Sequence, residues 1–349
     1  MLFGLDIQKR KRRLTLMNAS AVEKAAASSD RTLEDVAWAV VLESPKQLSL
    51  TQLPIDPPGP GDVVVETEWS AISTGTERLL YEGRMPQFPG MGYPLVPGYE
   101  SVGRIRAVGA EVRGEARVGQ RVFVGGARCF GAVRGLFGAA AARLVVPAAR
   151  VVPVDESLGE KGVLLALAAT AYHALHASGA RAPDLIVGHG VLGRLLARLA
   201  VIDFPEAPTV WERNAVRAAG ALGYAVVDPA EDKRRDYRSI YDVSGDGSLL
   251  DDLIARLAPG GEVVLAGFYT EPLRFAFAPA FMREARLRVA AEWKPDDLRA
   301  VVERVADGRL SLDGLITHRR DVVEAPDAYR TAFGDSTCLK MVLDWRSHA

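Results

Sequence analysis

Gly188-His189-Gly190-Val191-Leu192-Gly193 has the G-x-G-x-x-G spacing of a turn that cradles a dinucleotide. The first glycine permits a tight turn. The second lets backbone approach the pyrophosphate, and the third lets a helix pack close to a strand. The N–H groups of Val191 and Leu192 would then face the phosphates from a helix N-terminus. Glu212 lies about 20 residues beyond the last glycine, where a carboxylate accepts a hydrogen bond from a ribose 2′-hydroxyl and repels a 2′-phosphate. That favours NAD over NADP. Arg213 beside it argues the other way, because a guanidinium tolerates that phosphate.

Such a turn works only between a strand and a helix. The apolar run Leu185–Val187 supplies the strand, and Arg194–Ala200 reads as helix. Strand and helix patterns then alternate through Thr209–Trp211, Ala215–Leu222, Ser239–Val243, Leu249–Leu257 and Glu262–Phe268. The alternation predicts a parallel sheet covered on both faces. Ser244-Gly245 and Ala266-Gly267-Phe268 end two of its strands, where backbone meets ribose and carboxamide. Upstream, Ala37–Leu42, Asp62–Thr67, Ser101–Ile105 and Gly119–Val124 are short β-rich runs punctuated by Gly and Pro, which suggests a β-barrel-like domain. The fold class is therefore α/β plus β. Pro295 to Ala306, with acids in its first turn and Gly308 after it, predicts a further helix.

At 349 residues the chain can hold two cores. Its net charge of −1 implies no polyanion partner, and no nucleic acid is expected. Two distant cysteines, Cys129 and Cys338, suit a reducing cytoplasm. No apolar run is long enough to span a bilayer, so stable membrane insertion is not expected. The basic run Lys9–Arg13 precedes an Ala/Ser-rich stretch. Residues 1–35 read as a disordered extension, with Met17 as an alternative start, or as a weak electrostatic contact with anionic lipid or nucleic acid. A cytoplasmic protein, at most loosely membrane-associated, is expected.

Several short blocks occur in one order: Gly98-Tyr99-Glu100, Gly119-Gln120-Arg121-Val122, Thr170-Ala171-Tyr172, the glycine turn, Ser244-Gly245, Gly260–Leu265 and Leu315-Ile316-Thr317-His318. Together they resemble the medium-chain dehydrogenase/reductase family over roughly 36–345. The resemblance implies a GroES-like catalytic barrel over 36–155, a Rossmann domain over 156–292 and a return to the catalytic domain over 293–349. It also implies an edge-to-edge homodimer, for which Leu273–Phe277 is a candidate. Longer blocks, Ile72–Glu77, Phe88–Glu100, Arg134–Gly138 and Ala280–Ala285, are similar to the hydroxyethyl bacteriochlorophyllide a dehydrogenases of photosynthetic bacteria. That likeness implies NAD-dependent oxidation of a hydroxyethyl group on a chlorin or bacteriochlorin to acetyl.

The zinc ligands of that superfamily fall on Thr74, Tyr99 and Ala166, which offer neither thiolate nor imidazole. A metal-free enzyme is expected. Tyr99 is then placed to act on the carbinol proton, or is a packed tyrosine. Thr74 would orient the hydroxyl, or is a turn residue. Glu100 is a base, or is ion-paired to an Arg. The resemblance places Thr170 against the nicotinamide. His173 could relay a proton, or simply packs. His189 would point to solvent or cover the phosphates. Phe88, Met91, Tyr93, Phe130 and Phe137 could line a broad π-surface, with Arg134 or Arg84 forking onto a propionate. The alternatives are a zinc-free NAD(P)H quinone or enoyl reductase and a non-catalytic dinucleotide-binding pigment carrier.

Overall fold

The computed structural model describes residues 36–87, 90–114 and 116–348. The N-terminal extension and Phe88 lie outside the described residues.

The first part is β1 (Val36–Ser44), β2 (Gln47–Pro54), β3 (Asp62–Ile72), β4 (Leu95–Pro97), β5 (Ser101–Val108), β6 (Arg121–Val124), β7 (Arg134–Leu136), β8 (Arg143–Pro147) and β9 (Val151–Pro153), with one short helix, α1 (Thr76–Glu82), after β3. Alternation drives it: along β3, Val63, Val65 and Thr67 turn inward while their neighbours stay half-exposed. Val63 and Val65 meet Ile105, Val122, Val124 and Leu144 in a barrel core.

The second part is α2 (Leu165–His176), β10 (Leu185–Val187), α3 (Val191–Asp203), β11 (Thr209–Trp211), α4 (Ala215–Ala218), β12 (Ala225–Val227), β13 (Tyr237–Asp242), α5 (Leu250–Ala255), β14 (Leu257–Leu265), α6 (Phe277–Met282) and β15 (Arg286–Val289). The sheet order is β12-β11-β10-β13-β14-β15, and every pair is parallel. Strand order reverses between β10 and β13, so the crevice beyond their carboxyl ends is the switch point where such sheets bind ligands. α4 stops four residues before the sequence suggests. Gly220 there has φ +84°, and the Arg194 guanidinium lies where its Cβ would be.

After β15 come α7 (Pro295–Ala306), β16 (His318–Asp321), α8 (Ala325–Gly334) and β17 (Met341–Asp344). α7 starts as expected, with Pro295 in its first turn and the Asp297 carboxylate accepting from the Lys294 backbone N–H. β17 pairs with β3, Met341 opposite Ile72, which closes a sheet of order β16-β17-β3-β5-β6-β9. β2, β1, β4 and β7 form the facing sheet. The parts share one core: Ala71, Tyr99 and Phe123 from the barrel pack with α2, Leu195 and Val264. No helix among the described residues is long and apolar enough to cross a membrane.

Candidate functional site

The glycine turn has the geometry a pyrophosphate needs. Leu185, Ile186 and Val187 are buried, as expected for a parallel strand covered on both faces. Gly188 takes φ +106°, and a Cβ on Gly193 would lie 1.9 Å from the Gly188 carbonyl oxygen. Only glycine fits there. A Cβ on Gly190, by contrast, would meet nothing within 4 Å. That open space lies before α3, whose first turn has no side-chain cap, so its N–H groups face outward. Val191 is buried and Leu192 half-buried beside them.

Glu212 is half-buried at the end of β11. Its carboxylate accepts from the Asn214 N–H at 2.8 Å and the His189 N–H at 3.3 Å, which fixes it against the glycine turn. Arg213 is exposed. Ser244 and Gly245 are exposed beyond β13, Ala266 is buried, Gly267 is half-buried and Phe268 is exposed beyond β14. Asp242 holds these loop ends. Its carboxylate accepts from the Ser244 N–H, and its carbonyl accepts from the Ala266 and Gly267 N–H groups. The Thr170 hydroxyl donates to its own helix, to the Ala166 carbonyl at 3.0 Å.

His189 differs from the sequence reading. Its ring is fully buried, contacting the Arg217 carbonyl at 2.6 Å and the Tyr224 hydroxyl at 2.8 Å. Burial pushes its pKa down to about 4, so it stays neutral and neither meets solvent nor covers phosphate.

Across the crevice, strand register assembles a group of hydroxyls. β3 pairs with β5, Ser70 opposite Ser101, and the Ala71 N–H donates to the Glu100 carbonyl. That register sets Ser73, just past β3, beside Tyr99, just before β5. The Ser73 and Tyr99 hydroxyls are 2.7 Å apart, and Thr76 Oγ1 is 3.5 Å from the same phenol oxygen. Thr74, between them in sequence, is exposed. Burial, with the nearby Glu100 charge, pushes the Tyr99 phenol above its ordinary range. Tyr99 is therefore a neutral hydroxyl, not a ready base.

Glu100 is fully buried and paired with Lys340, not with an Arg, at 2.7 and 3.0 Å. The β17–β3 pairing carries Lys340 there, and its ammonium also donates to the Ile72 carbonyl at 3.3 Å. Burial raises the Glu100 pKa while Lys340 opposes the rise. Glu77 is a second buried carboxylate that motif reading passed over. It accepts from the Ser73 N–H and the Tyr329 hydroxyl, and burial lifts its pKa to about 7. The available signal was an acid in the first turn of a short helix, two residues before the buried pair Leu79-Leu80. His173 lies apart from these hydroxyls, 2.8 Å from Asp297 at the start of α7.

Phe137 is edge-on to Tyr99 at 5.4 Å, and Met91 and Tyr93 pack nearby with Leu136 and Phe137. The Tyr93 hydroxyl donates to the Leu80 carbonyl. Phe130 differs from expectation: it is 3% exposed inside the barrel core, with no face left for a ligand. Arg84 is engaged by Glu82 and reaches Thr270. Arg134 is exposed and has no acidic partner among the described residues; its guanidinium rests by Gly92 and the Tyr93 carbonyl. No group of three or more His, Cys, Asp or Glu able to hold a metal occurs among the described residues. At the zinc positions, Ala166 has no donor atom and Tyr99 is a neutral phenol, so the residues present do not fit zinc.

Residues 59–156 match the alcohol dehydrogenase GroES-like domain. The chain is 58% identical over 316 residues to the 2-desacetyl-2-hydroxyethyl bacteriochlorophyllide A dehydrogenase of Cereibacter sphaeroides, covering 89% of this chain and 99% of that one. Identity to the protein of the same name from Rhodobacter capsulatus is 56% over 308 residues, with 88% and 98% covered. Among solved structures, an alcohol dehydrogenase of Escherichia coli CFT073 in complex with NADH superposes with a TM-score of 0.76 at 23% identity, covering 89% of this chain and 99% of that one.

Proposed function

Because the chain belongs to the medium-chain dehydrogenase/reductase family, and within it to the 2-desacetyl-2-hydroxyethyl bacteriochlorophyllide A dehydrogenases, we propose that it oxidises the hydroxyethyl side chain of a chlorophyllide or bacteriochlorophyllide to acetyl, with NAD and without zinc. The observation that carries the zinc-free reading is Tyr99, at one of the expected ligand positions, hydrogen-bonded as a neutral phenol to the Ser73 and Thr76 hydroxyls.

The bound nicotinamide supplies a hydride acceptor. The Gly188–Gly193 turn and the open first turn of α3 hold its pyrophosphate, and Glu212 holds the adenine ribose. Tyr99 and Thr76 hold the carbinol oxygen. A neutral phenol cannot store the proton, so as Tyr99 takes one from the carbinol it passes its own to Ser73, which in turn gives up its hydroxyl proton to water admitted with the substrate. Phe137, Met91 and Tyr93 face the ring system, and Arg134 forks onto its propionate.

A second copy docks on the far edge of the parallel sheet. β15 is an unpaired edge strand, and Phe277, Phe281, Met282 and Val289 are 73, 65, 75 and 74% exposed beside it. Phe275, Phe277, Phe281 and Met282 line a cavity of about 430 Å³ on this face. An open strand edge joined to an apolar patch is what a two-fold partner covers.

Pure protein mixed with NAD and a hydroxyethyl pigment tests the activity. NADH absorbance should rise as acetyl pigment forms. Flat traces in both directions would leave only a carrier, reduction of a quinone or enone by NADPH would support a reductase, and stoichiometric zinc would defeat the metal-free reading.

A further inference from the structure

One aromatic residue reaches the hydroxyl pocket from the dinucleotide side. Trp293 follows β15 and precedes α7, so it is anchored in the sheet domain. Yet its ring centroid is 6.3 Å from that of Tyr99, at an interplanar angle of 39°. Two local features hold it there. Glu292, just before it, takes the left-handed φ of +55°, a conformation that non-glycine residues rarely adopt. On the barrel side, Gly125 makes room: a Cβ there would lie 3.1 Å from Trp293 Cζ2 and 3.4 Å from Phe123.

Tyr99, Phe137 and Trp293 thus form an aromatic corner. Phe137 meets Tyr99 at 85°, and Trp293 lies across it at 39°, so the two rings flank Tyr99 in different orientations. Trp293 is only half-buried. Its indole N–H has no hydrogen-bond partner among the described residues, as for the similarly half-buried Trp38 and Trp69, whereas those of the buried Trp211 and Trp345 donate to Asp232 and Ser70. A large aromatic surface with an unspent donor suits a flat conjugated ring with carbonyl groups on its rim.

We propose that Trp293 is a specificity-determining residue, the stacking surface that selects an extended macrocycle over small secondary alcohols. The proposal rests on the pigment substrate put forward above, and it adds a residue from the dinucleotide half to recognition of that substrate. Stacking acts before hydride transfer, so its loss appears in KM for the pigment more than in kcat.

The test compares the full-length wild type, Trp293→Ala and Trp293→Phe, with hydroxyethyl pigment and with 1-phenylethanol. NAD affinity and thermal midpoint are measured for each. Trp293→Ala should raise KM for the pigment about 10-fold or more, a stacking loss of ordinary size, with kcat and NAD affinity within about 2-fold. Trp293→Phe should recover most of that loss. The kcat/KM for 1-phenylethanol should hold or rise in both. A pigment KM within 2-fold of wild type in Trp293→Ala overturns the proposal. So does equal loss on both alcohols, or a loss that Trp293→Phe does not recover. Failure of the wild type to turn over pigment at all refutes the substrate, a result separate from any difference among variants.

Discussion

Lys340→Met removes the cation that neutralises Glu100. Both side chains are sealed from solvent, at 1% and 0% exposure, and the carboxylate has no other cation within 4 Å among the described residues. Breaking one side of such a pair costs about 3–5 kcal/mol, because the remaining charge is stranded in a poorly polarisable interior. With roughly 2.1 cal/mol/K of unfolding entropy per residue over 349 residues, the melting midpoint should fall by about 4–7 °C. The stranded carboxyl can escape by taking up a proton, at about 1.4 kcal/mol per pH unit, so the loss should be larger at pH 8 than at pH 5. Replacing both residues, Glu100→Met with Lys340→Met, removes the stranded charge and should recover most of the midpoint. Calorimetry at the two pH values reads all of this. A Lys340→Met midpoint within 1 °C of wild type at pH 8, or a double variant no better than the single, refutes the reasoning. Activity measured alongside separates the roles of Glu100: dehydrogenase activity that returns with stability makes it structural, and activity that stays lost makes it chemical.

Four further outcomes are expected. Glu77 has a native pKa of about 7, above its ordinary 4.5, so the folded state holds more protons than the unfolded state between those values and stability falls as pH rises through that window. The fall is about 3 kcal/mol in all; Glu77→Gln should flatten melting midpoints across pH 5–8, and an unchanged slope would count against the burial argument. Glu212→Ala should cut the NAD-over-NADP ratio of kcat/KM about 10-fold, and an unchanged ratio removes Glu212 from cofactor choice. Tyr99→Phe, which deletes the oxygen next to Ser73 and Thr76, should lower kcat about 10- to 100-fold with little change in melting; an unaltered kcat moves the chemistry elsewhere. Phe281→Asp should shift the protein to monomer in sedimentation, and an unaltered mass excludes this face as the interface.

The nucleotide half was legible because its signals are local. Three glycines, the buried strand before them and Glu212 after them sit within one strand–helix–strand passage, and the structure places them together. The hydroxyl pocket was legible only in part. Tyr99 stands out by what it replaces, but the expected Thr74 is exposed and outside the group, and Ser73 meets Tyr99 through the β3–β5 register, which no short motif encodes. Lys340 reaches Glu100 across 240 residues because β17 happens to pair with β3, so an arginine was as reasonable a guess. The burial of His189 depends on Tyr224 and the carbonyl of Arg217, both distant in sequence, so no local pattern reveals it. Trp293 carries no pattern at all. It lies between two predicted elements, and only the barrel's glycine at 125 reveals where its ring goes.

α2 has a consequence for the whole lobe arrangement. Ala166, Ala168, Ala169 and Ala171 are all at 0% exposure, and Ala174 at 1%, on the helix shared by both cores. Methyl-sized side chains let barrel and nucleotide sheet sit against one common spine. A bulkier residue at any of these five positions would act as a wedge, and a shift of about 1 Å between donor and acceptor can slow a reaction about 100-fold. The spacing between the two lobes is thus held by a row of methyl groups.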